Sequence, residues 1–310
     1  MTIPPGPTAA GRLLALVLSL AWPAVSSAAE IALVKSSDTA AWRPAVEAIR
    51  AAAGAHQIRE YDLAGSRVEG ARLFAALEGK TAVVVAMGPL AAQLAREMLP
   101  EVPLVYCMIQ DPAAAGVLGA PNTAGVALAL PVRNQLVAFR TVNPQARRIG
   151  VIFSSDGAAR QVDEARKAAG ALKLEVVPRR VADAAGVPPA VRELLKGAEA
   201  VDALWILPDP LILETSTRRF LLTEALLAGK PVYSFSAALI NEGALVSHSA
   251  DMTSIGQGVG ELIGRVASGQ KADRQPLLVP RGEVVINKKM ADRLKVVVPA
   301  EALRIAQKVL

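Results

Sequence analysis

The sequence predicts an α/β protein with two doubly wound, Rossmann-like lobes joined by a multi-strand hinge. Short runs rich in β-branched residues alternate with longer Ala- and Leu-rich amphipathic segments, which is typical of repeated βα units. The strand runs are apolar on both faces, so they predict parallel sheets covered by helices. The alternation starts again near Arg148, after a segment rich in Gly and Pro, and this restart predicts the second lobe.

The first series of elements follows from apolar runs and helix-start signals. An unbroken apolar run ends near Met87, and Pro89 then stands where the first turn of a helix tolerates proline. The polar and small residues of 111–131, which include a strand-like stretch at 123–128, are expected to contribute to the hinge. The predicted strands are 31–34, 58–62, 81–86 and 103–109, and the predicted helices are 42–53, 68–77 and 89–98.

The second series repeats the same order, and a tail follows it. In the series, strands are predicted at 149–153, 174–178, 203–207 and 231–235, and helices at 158–169, 187–195 and 217–227. The tail adds strands at 244–247 and 283–286, a helix at 252–268 and two closing helices. These elements predict a first lobe of residues 30–127 plus 251–310 and a second lobe of residues 128–250.

The first 29 residues are expected to be a cleavable export signal. Arg12 precedes an apolar run at 13–25 that is short for a membrane span, and the small residues 26–29 suit a signal peptidase, with cleavage after Ala28 or Ala29. A buried N-terminal helix is the alternative, and the prolines of this segment disfavour it. The single cysteine, Cys107, lies far from the cleavage site. We therefore expect a periplasmic, monomeric protein without a lipid anchor.

Composition argues against several classes of function. The net charge of +6 comes from scattered basic pairs, and only 4% of the residues are aromatic, so a nucleic-acid surface is not expected. His56 and His248 lack the companion residues of a metal site. A Cys107–His248 nucleophile pair is formally available, but Cys107 falls in an apolar strand. Because phosphate-loop, serine-hydrolase and zinc-protease motifs are also missing, we expect no catalysis, no metal and no cofactor.

Ligands of open parallel sheets bind beyond the carboxyl ends of the strands, so the loops at these ends supply the candidate site. Many of these residues could instead cap the helices that follow, since Ser and Asp are preferred N-caps. Asp111 and Asp209 are expected to be the polar anchors, and Phe235 an apolar wall. His248 could line the cleft or be an ordinary strand-end histidine. The candidate ligand-binding residues are Ser36, Ser37, Gly88, Pro89, Gln110, Asp111, Ser154, Asp209, Phe235, Ser236 and His248.

Several segments, taken in order, resemble the exported solute-binding proteins of ABC transporters, in particular the group typified by tryptophan- and other amino-acid-binding members with a type I periplasmic-binding fold. The resemblance covers most of the chain after residue 29. The segments are VVVAMGPLAAQLA (83–95), PLVYCMIQDPAAAGV (103–117), NTAGVAL (122–128), RIGVIF (148–153), DALWILPDPLIL (202–213), PVYSFSAALINEGAL (231–245), IGQGVGELIGRVASGQKAD (255–273) and VINKKMADRLKVVVP (285–299).

The resemblance implies two lobes that close on a small solute and dock with an ABC permease in the inner membrane. It also implies ligand contacts from Gly88, Pro89 and Asp111 on one lobe and from Asp209 and Ser236 on the other. The chain departs from the family pattern at 237, where a glutamate is frequent, and at 87–89, where a Gly-Thr pair is commoner. A periplasmic sensing module for a membrane receptor and an exported enzyme are the alternative functions.

Overall fold

The computed structural model describes residues 1–2, 30–198 and 200–310, and the predicted export signal lies outside these residues apart from its first two. The first sheet has the order β2-β1-β3-β4-β5, and all its strands are parallel. Its elements are β1 (Glu30–Lys35), α1 (Arg43–Ala52), β2 (Gln57–Asp62), α2 (Arg67–Leu77), β3 (Val83–Met87), α3 (Pro89–Met98), β4 (Leu104–Cys107) and β5 (Thr123–Gly125).

The second sheet has seven strands in the order β12-β11-β10-β9-β8-β6-β7. Only the pair β10–β11 is antiparallel among these described strands. The remaining elements are α4 (Val132–Val142), β6 (Arg148–Phe153), α5 (Asp156–Ala169), β7 (Glu175–Arg180), α6 (Val187–Lys196), β8 (Ala203–Ile206), α7 (Pro210–Leu213), α8 (Thr215–Leu227), β9 (Val232–Ser234), β10 (Val246–Ala250), α9 (Met252–Ala267), β11 (Gly282–Ile286), α10 (Lys288–Arg293), α11 (Ala300–Ile305) and β12 (Lys308–Val309).

Both sheets are buried on their two faces, as the apolar runs predict. In β1, Ile31 and Leu33 belong to one apolar cluster, whereas Ala32 and Val34 belong to another on the opposite face. The strands of the second sheet are divided between two clusters in the same way. Burial on both faces therefore accounts for the lack of polar alternation in these strands, and the predicted fold class of two parallel-sheet lobes is confirmed.

The C-terminal tail is divided between the two sheets, which corrects the predicted assignment of all of 251–310 to the first lobe. Helix α9 packs its buried side chains into a cluster of the first sheet. Strands β11 and β12 instead extend the second sheet, and Ala291 and Ala302 pack in its core. Strand β11 belongs to the second sheet because it pairs with the free edge of β10, in an antiparallel register that sets His248 opposite Val284.

The chain passes between the sheets at three places, which we call the crossing segments: residues 126–131, 250–252 and 277–281. Two of them touch, since Val126 and Leu278 form a parallel bridge and the N–H of Ala127 donates to the carbonyl of Leu278. The third is tied to its neighbour by the N–H of Asp251, which donates to the carbonyl of Arg281. This arrangement brings the carboxyl ends of the cleft-side strands of both sheets to face one another.

Candidate functional site

A cavity of about 330 Å³ lies between the lobes, beside the crossing segments. The first lobe contributes Trp42 and Gln110, which follow β1 and β4. The second lobe contributes Gln161 of α5, and residues after β8 and β9. His248 and Glu283, on neighbouring strands β10 and β11, line the end beside the crossing segments. The cavity therefore has walls from both lobes.

Four of the predicted site residues line this cavity. They are Gln110, Phe235, Ser236 and His248. The structure places the other candidates outside its lining, and their contacts explain why: most of them hold the loops around the cavity rather than facing it. The residues outside the lining are Ser36, Ser37, Gly88, Pro89, Asp111, Ser154 and Asp209.

Ser36 and Gly88 shape the first-lobe wall rather than the cavity itself. Ser36 is buried, and its hydroxyl oxygen accepts a hydrogen bond of 3.0 Å from the N–H of Ala91 at the start of α3. Gly88 has a φ of 92°, and a Cβ there would lie 2.7 Å from Ser36 Oγ and 3.2 Å from the Trp42 ring. Glycine thus permits both the turn and the seating of Trp42. Ser37 and Pro89 are exposed.

Asp209 holds the second lobe together, which corrects its prediction as a ligand anchor. The side chain is fully buried, and its carboxylate accepts five hydrogen bonds. Ser154 donates from its N–H and its hydroxyl, each at 2.8 Å, and Ser155 donates from its N–H at 2.8 Å. The N–H groups of Leu211 and Ile212 donate to Oδ1, the same oxygen that accepts from the Ser154 hydroxyl. Its acceptor capacity is therefore used inside the protein.

The electrostatics of Asp209 agree with this structural role. Burial alone would raise the pKa of the carboxyl group, but the donors from Ser155 and Ser154 outweigh burial and lower the pKa below its ordinary value. Ser154 is engaged by the same carboxylate, so its prediction as a direct ligand contact is corrected with that of Asp209. The pair instead ties the β6–α5 loop to the β8–α7 loop.

Asp111 lies at the rim of the cleft, where it joins the two lobes. Its carboxylate forms an ion pair with Arg160 of α5 in the opposite lobe, and it accepts from the N–H of Ala114 at 3.0 Å. The role of Asp111 as a polar anchor for a ligand stays a prediction, and Asp111 is not among the residues that line the cavity. The partner that the structure shows is a guanidinium of the protein.

His248 packs tightly against a glycine of the neighbouring strand. A Cβ at Gly282 would lie 2.1 Å from Nε2 of His248, so only glycine leaves room for the imidazole there. Burial lowers the pKa of His248, so the ring is neutral at pH 7. Its Nδ1 is buried and has no hydrogen-bond partner among the described residues.

The lining residues that were not predicted from the sequence include Trp42, Gln135, Gln161 and Glu283. Trp42 is the first residue of a predicted helix, and a tryptophan beside a strand-end loop was an available signal. Gln135 is only 4% exposed, and its amide nitrogen donates to the carbonyl of Leu130 at 3.3 Å while its Oε1 has no described partner. It lies on α4, a helix absent from the predicted elements.

Metal-ligating residues, the single thiol and the helices of the described part of the chain bear on three other kinds of chemistry. No group of three or more His, Cys, Asp and Glu residues there is arranged to hold a metal ion. Cys107 is fully buried, and burial raises the pKa of its thiol to about 12. None of the described helices combines the length and apolar character that crossing a membrane requires.

Comparisons with known proteins agree with this architecture. At 18% identity and a TM-score of 0.78, the ligand-free, open structure of a substrate-binding protein with adhesive properties from Clostridium difficile aligns over 91% of this chain and 99% of its own. A Streptococcus pneumonia ABC domain in complex with L-Trp aligns with a TM-score of 0.68 and 24% identity, over 92% of this chain and 100% of that one. At these identities the likeness shows the fold.

The sequence comparisons identify the family. A curated relative, a tyrosine-binding protein of Clostridioides difficile, is 24% identical over 217 residues, which is 67% of this chain and 61% of the relative. The match thus spans less than two thirds of that relative's length. The profile of the ABC transporter substrate binding protein family matches residues 65–310, which is most of the chain. The chain therefore belongs to the ABC transporter substrate-binding protein family.

Proposed function

We propose that this protein captures a small solute in the cavity between its lobes and delivers it to the permease of an ABC importer in the inner membrane. The observation that carries this proposal is the composition of the cavity wall, which includes Trp42 and Gln110 from one lobe and Gln161 and Phe235 from the other. A solute that touches both lobes stabilises the closed form by its differential affinity for that form. The permease then binds the closed protein.

The relatives suggest the class of solute. One is named for tyrosine and one was solved with L-Trp, so an amino acid or a related compound is the proposed cargo. The lining residues Trp42, Phe235 and Met252 would contact an apolar or aromatic body. Gln110, Gln161 and Ser236 offer neutral hydrogen-bonding groups. Such a lining suits a small solute with an apolar body and a few polar atoms.

The proposed setting is the periplasm, where the protein acts as a monomer without a lipid anchor. Substrate-binding proteins of this family are extracytoplasmic. The export signal predicted for residues 1–29 supports the same location for this chain. Binding without chemical change is the proposed activity, and the solute should therefore leave the protein with its mass unchanged.

The test combines identification of the bound compound with a blocked cavity. Native mass spectrometry of the purified protein is expected to show a small molecule of constant mass, and that molecule should raise the melting temperature of the emptied protein. Ser236→Trp, which adds an indole to the cavity wall, should abolish the rise. Ser37→Trp is the matched control, because Ser37 is exposed and outside the lining.

The results of these experiments distinguish transport from enzymatic conversion and from sensing. Ligand-induced stabilisation that survives Ser236→Trp would place the binding site elsewhere, provided that the melting temperature of the ligand-free variant is unchanged. Conversion of the bound compound into a product would favour an enzyme. Stimulation of the ATPase of a reconstituted permease by the loaded protein would support transport over sensing.

A further inference from the structure

The cavity lining contains few charged side chains. Among the described residues that line it, Glu283 is the single ionised side chain, and no lysine or arginine is present. Glu283 also has no ion-pair partner in the described part of the chain, and it is partly buried. A carboxylate on the solute would therefore meet a like charge without a balancing cation, which disfavours its binding.

Two other polar atoms of the cavity lining are buried and have no described hydrogen-bond partner. Gln135 is 4% exposed, and its Oε1 lacks a described hydrogen-bond partner, as does Nδ1 of His248. Both side chains line the cavity. His248 on β10 stands opposite Val284 of β11, and Glu283 stands opposite Ser249, so the side chains of His248 and Glu283 leave opposite faces of the sheet. Gln135 Oε1 is a carbonyl oxygen that can only accept, so it favours a ligand that brings an N–H donor.

Backbone N–H groups could in principle receive a carboxylate at helix N-termini, but three such termini beside the cleft are already capped. The hydroxyl of Ser36 accepts from Ala91 at the start of α3, and that of Ser155 accepts from Ala158 in α5. The carboxylate of Asp209 accepts from Leu211 and Ile212 at the start of α7. Each of these side chains occupies one or two of the N–H groups that a ligand anion would otherwise use.

From this arrangement we infer that the solute is an organic cation, an aromatic or apolar body bearing a protonated amine and no free carboxylate. The inference rests on the proposed function and names its substrate class. The positive charge of the ammonium group balances Glu283, the one carboxylate of the lining, and Gln135 Oε1 offers an acceptor for an N–H group of the solute. The body lies between Trp42 and Phe235, whose aromatic faces attract a cation.

A matched ligand series tests the class. Tyramine, tyrosine and 3-(4-hydroxyphenyl)propionate share one ring. Tyramine bears only the amine, tyrosine bears the amine and the carboxylate, and the propionate bears only the carboxylate. Tryptamine, tryptophan and indole-3-propionate form the parallel series with an indole ring. Calorimetry on the full chain, freed of co-purified ligand, should show at least one amine binding tenfold or more tightly than its amino acid, with no binding by either acid.

Two variants test whether Glu283 is the residue that recognises the positive charge of the amine. Glu283→Gln should weaken binding of the preferred amine at least tenfold and reduce the preference over its amino acid. Glu261→Gln should leave both unchanged, because Glu261 pairs with Arg265 on the exposed side of α9. The melting temperature of each ligand-free variant reports whether it folds. An unaltered preference in a folded Glu283→Gln protein would overturn the assignment.

Different results would refute the inferred substrate class and the proposed function of solute capture. If tyrosine or tryptophan binds as tightly as its amine, the inference that the solute is an organic cation is overturned, but the proposal of solute capture is not. A failure of all six compounds to bind would overturn the aromatic amine, and capture would still be judged by the co-purified compound and by Ser236→Trp. If that compound itself carries a free carboxylate, the inference is wrong.

Discussion

Asp111 in the first lobe forms an ion pair with Arg160 in the second, and this contact bridges the cleft at its rim. The side chain of Asp111 is 34% exposed and that of Arg160 is 59% exposed, so water and salt reach both charges. An exposed pair of this kind contributes roughly 0.2–1 kcal/mol. The pair thus stabilises the arrangement of the lobes in this structure only slightly.

We expect Arg160→Gln to increase the fraction of molecules in which the two lobes are open. Loss of a contact worth at most about 1 kcal/mol changes the closed-to-open ratio up to about fivefold. Dyes on cysteines introduced at Ser37 and Asp163, one on each lobe, would report the change by energy transfer at low salt. The native Cys107 is buried and does not take a label.

Salt supplies the control for this prediction. At 0.5 M NaCl the wild type should approach the variant, because exposed charges are screened at this ionic strength. Arg72→Gln should leave the transfer efficiency unchanged, since Arg72 pairs with Glu69 inside one helix of the first lobe. An equal shift from both substitutions would refute the role given to Asp111 and Arg160.

Asp209→Asn is expected to destabilise the second lobe by about 3 kcal/mol at pH 7. An amide at this position would face N–H donors with its own N–H₂ group, and buried donors would lose their acceptor at a cost of about 1–3 kcal/mol each, partly relieved by relaxation. Urea unfolding of the ligand-free protein measures the loss. Asp183→Asn is the control, because Asp183 caps a short exposed 3₁₀ turn and its loss should cost no more than about 1 kcal/mol.

The same carboxylate predicts a pH dependence. The folded-state pKa of Asp209 is lowered, so its contribution is complete above the ordinary aspartate pKa of about 4 and disappears as pH falls through the lower folded value. The stability difference between wild type and Asp209→Asn should therefore narrow below about pH 4. A difference that is constant from pH 7 to pH 3 would contradict the hydrogen-bonded, ionised state of Asp209.

Much of the fold could be predicted because burial on both faces leaves long apolar runs in the sequence. Helix α4 was missed for a local reason: it begins after Pro131, and the residues before it offer no side-chain cap. The edge strand β12 is only two residues long and both residues are exposed, so it is too short to leave an apolar pattern in the sequence. The division of the tail depends on which edge of a sheet is open, and that is a tertiary property.

The candidate site was predicted less well, because position after a strand does not determine where a side chain points. Phe235 and Ser236 reach the cavity, whereas Asp209, at the matching place after another strand, turns inward to Ser154. Both outcomes use the same residue types in loops of the same kind. Glu283 was missed because it lies within a strand from the tail, and only the pairing of β10 with β11 brings it to the cavity.

The packing of α9 on α1 gives a prediction in which one substitution has opposite effects along a single helix. Gly256 and Gly260 are four residues apart and face α1: a Cβ at Gly256 would lie 2.3 Å from the carbonyl oxygen of Ala45, and one at Gly260 would lie 2.3 Å from Cβ of Ala52. Gly264 is one turn further on, beyond the end of α1 at Ala52, and a Cβ there meets nothing within 4 Å.

Gly256→Ala should therefore destabilise the first lobe by about 2 kcal/mol, since backbone must move to admit the methyl group. Gly264→Ala should stabilise the helix by about 0.5–1 kcal/mol, because alanine restricts the unfolded chain and favours the helical state. Urea unfolding followed by circular dichroism measures both changes. Equal signs for the two substitutions would show that close approach of the helices does not select glycine at 256, and the contact of α9 with the first lobe would need another explanation.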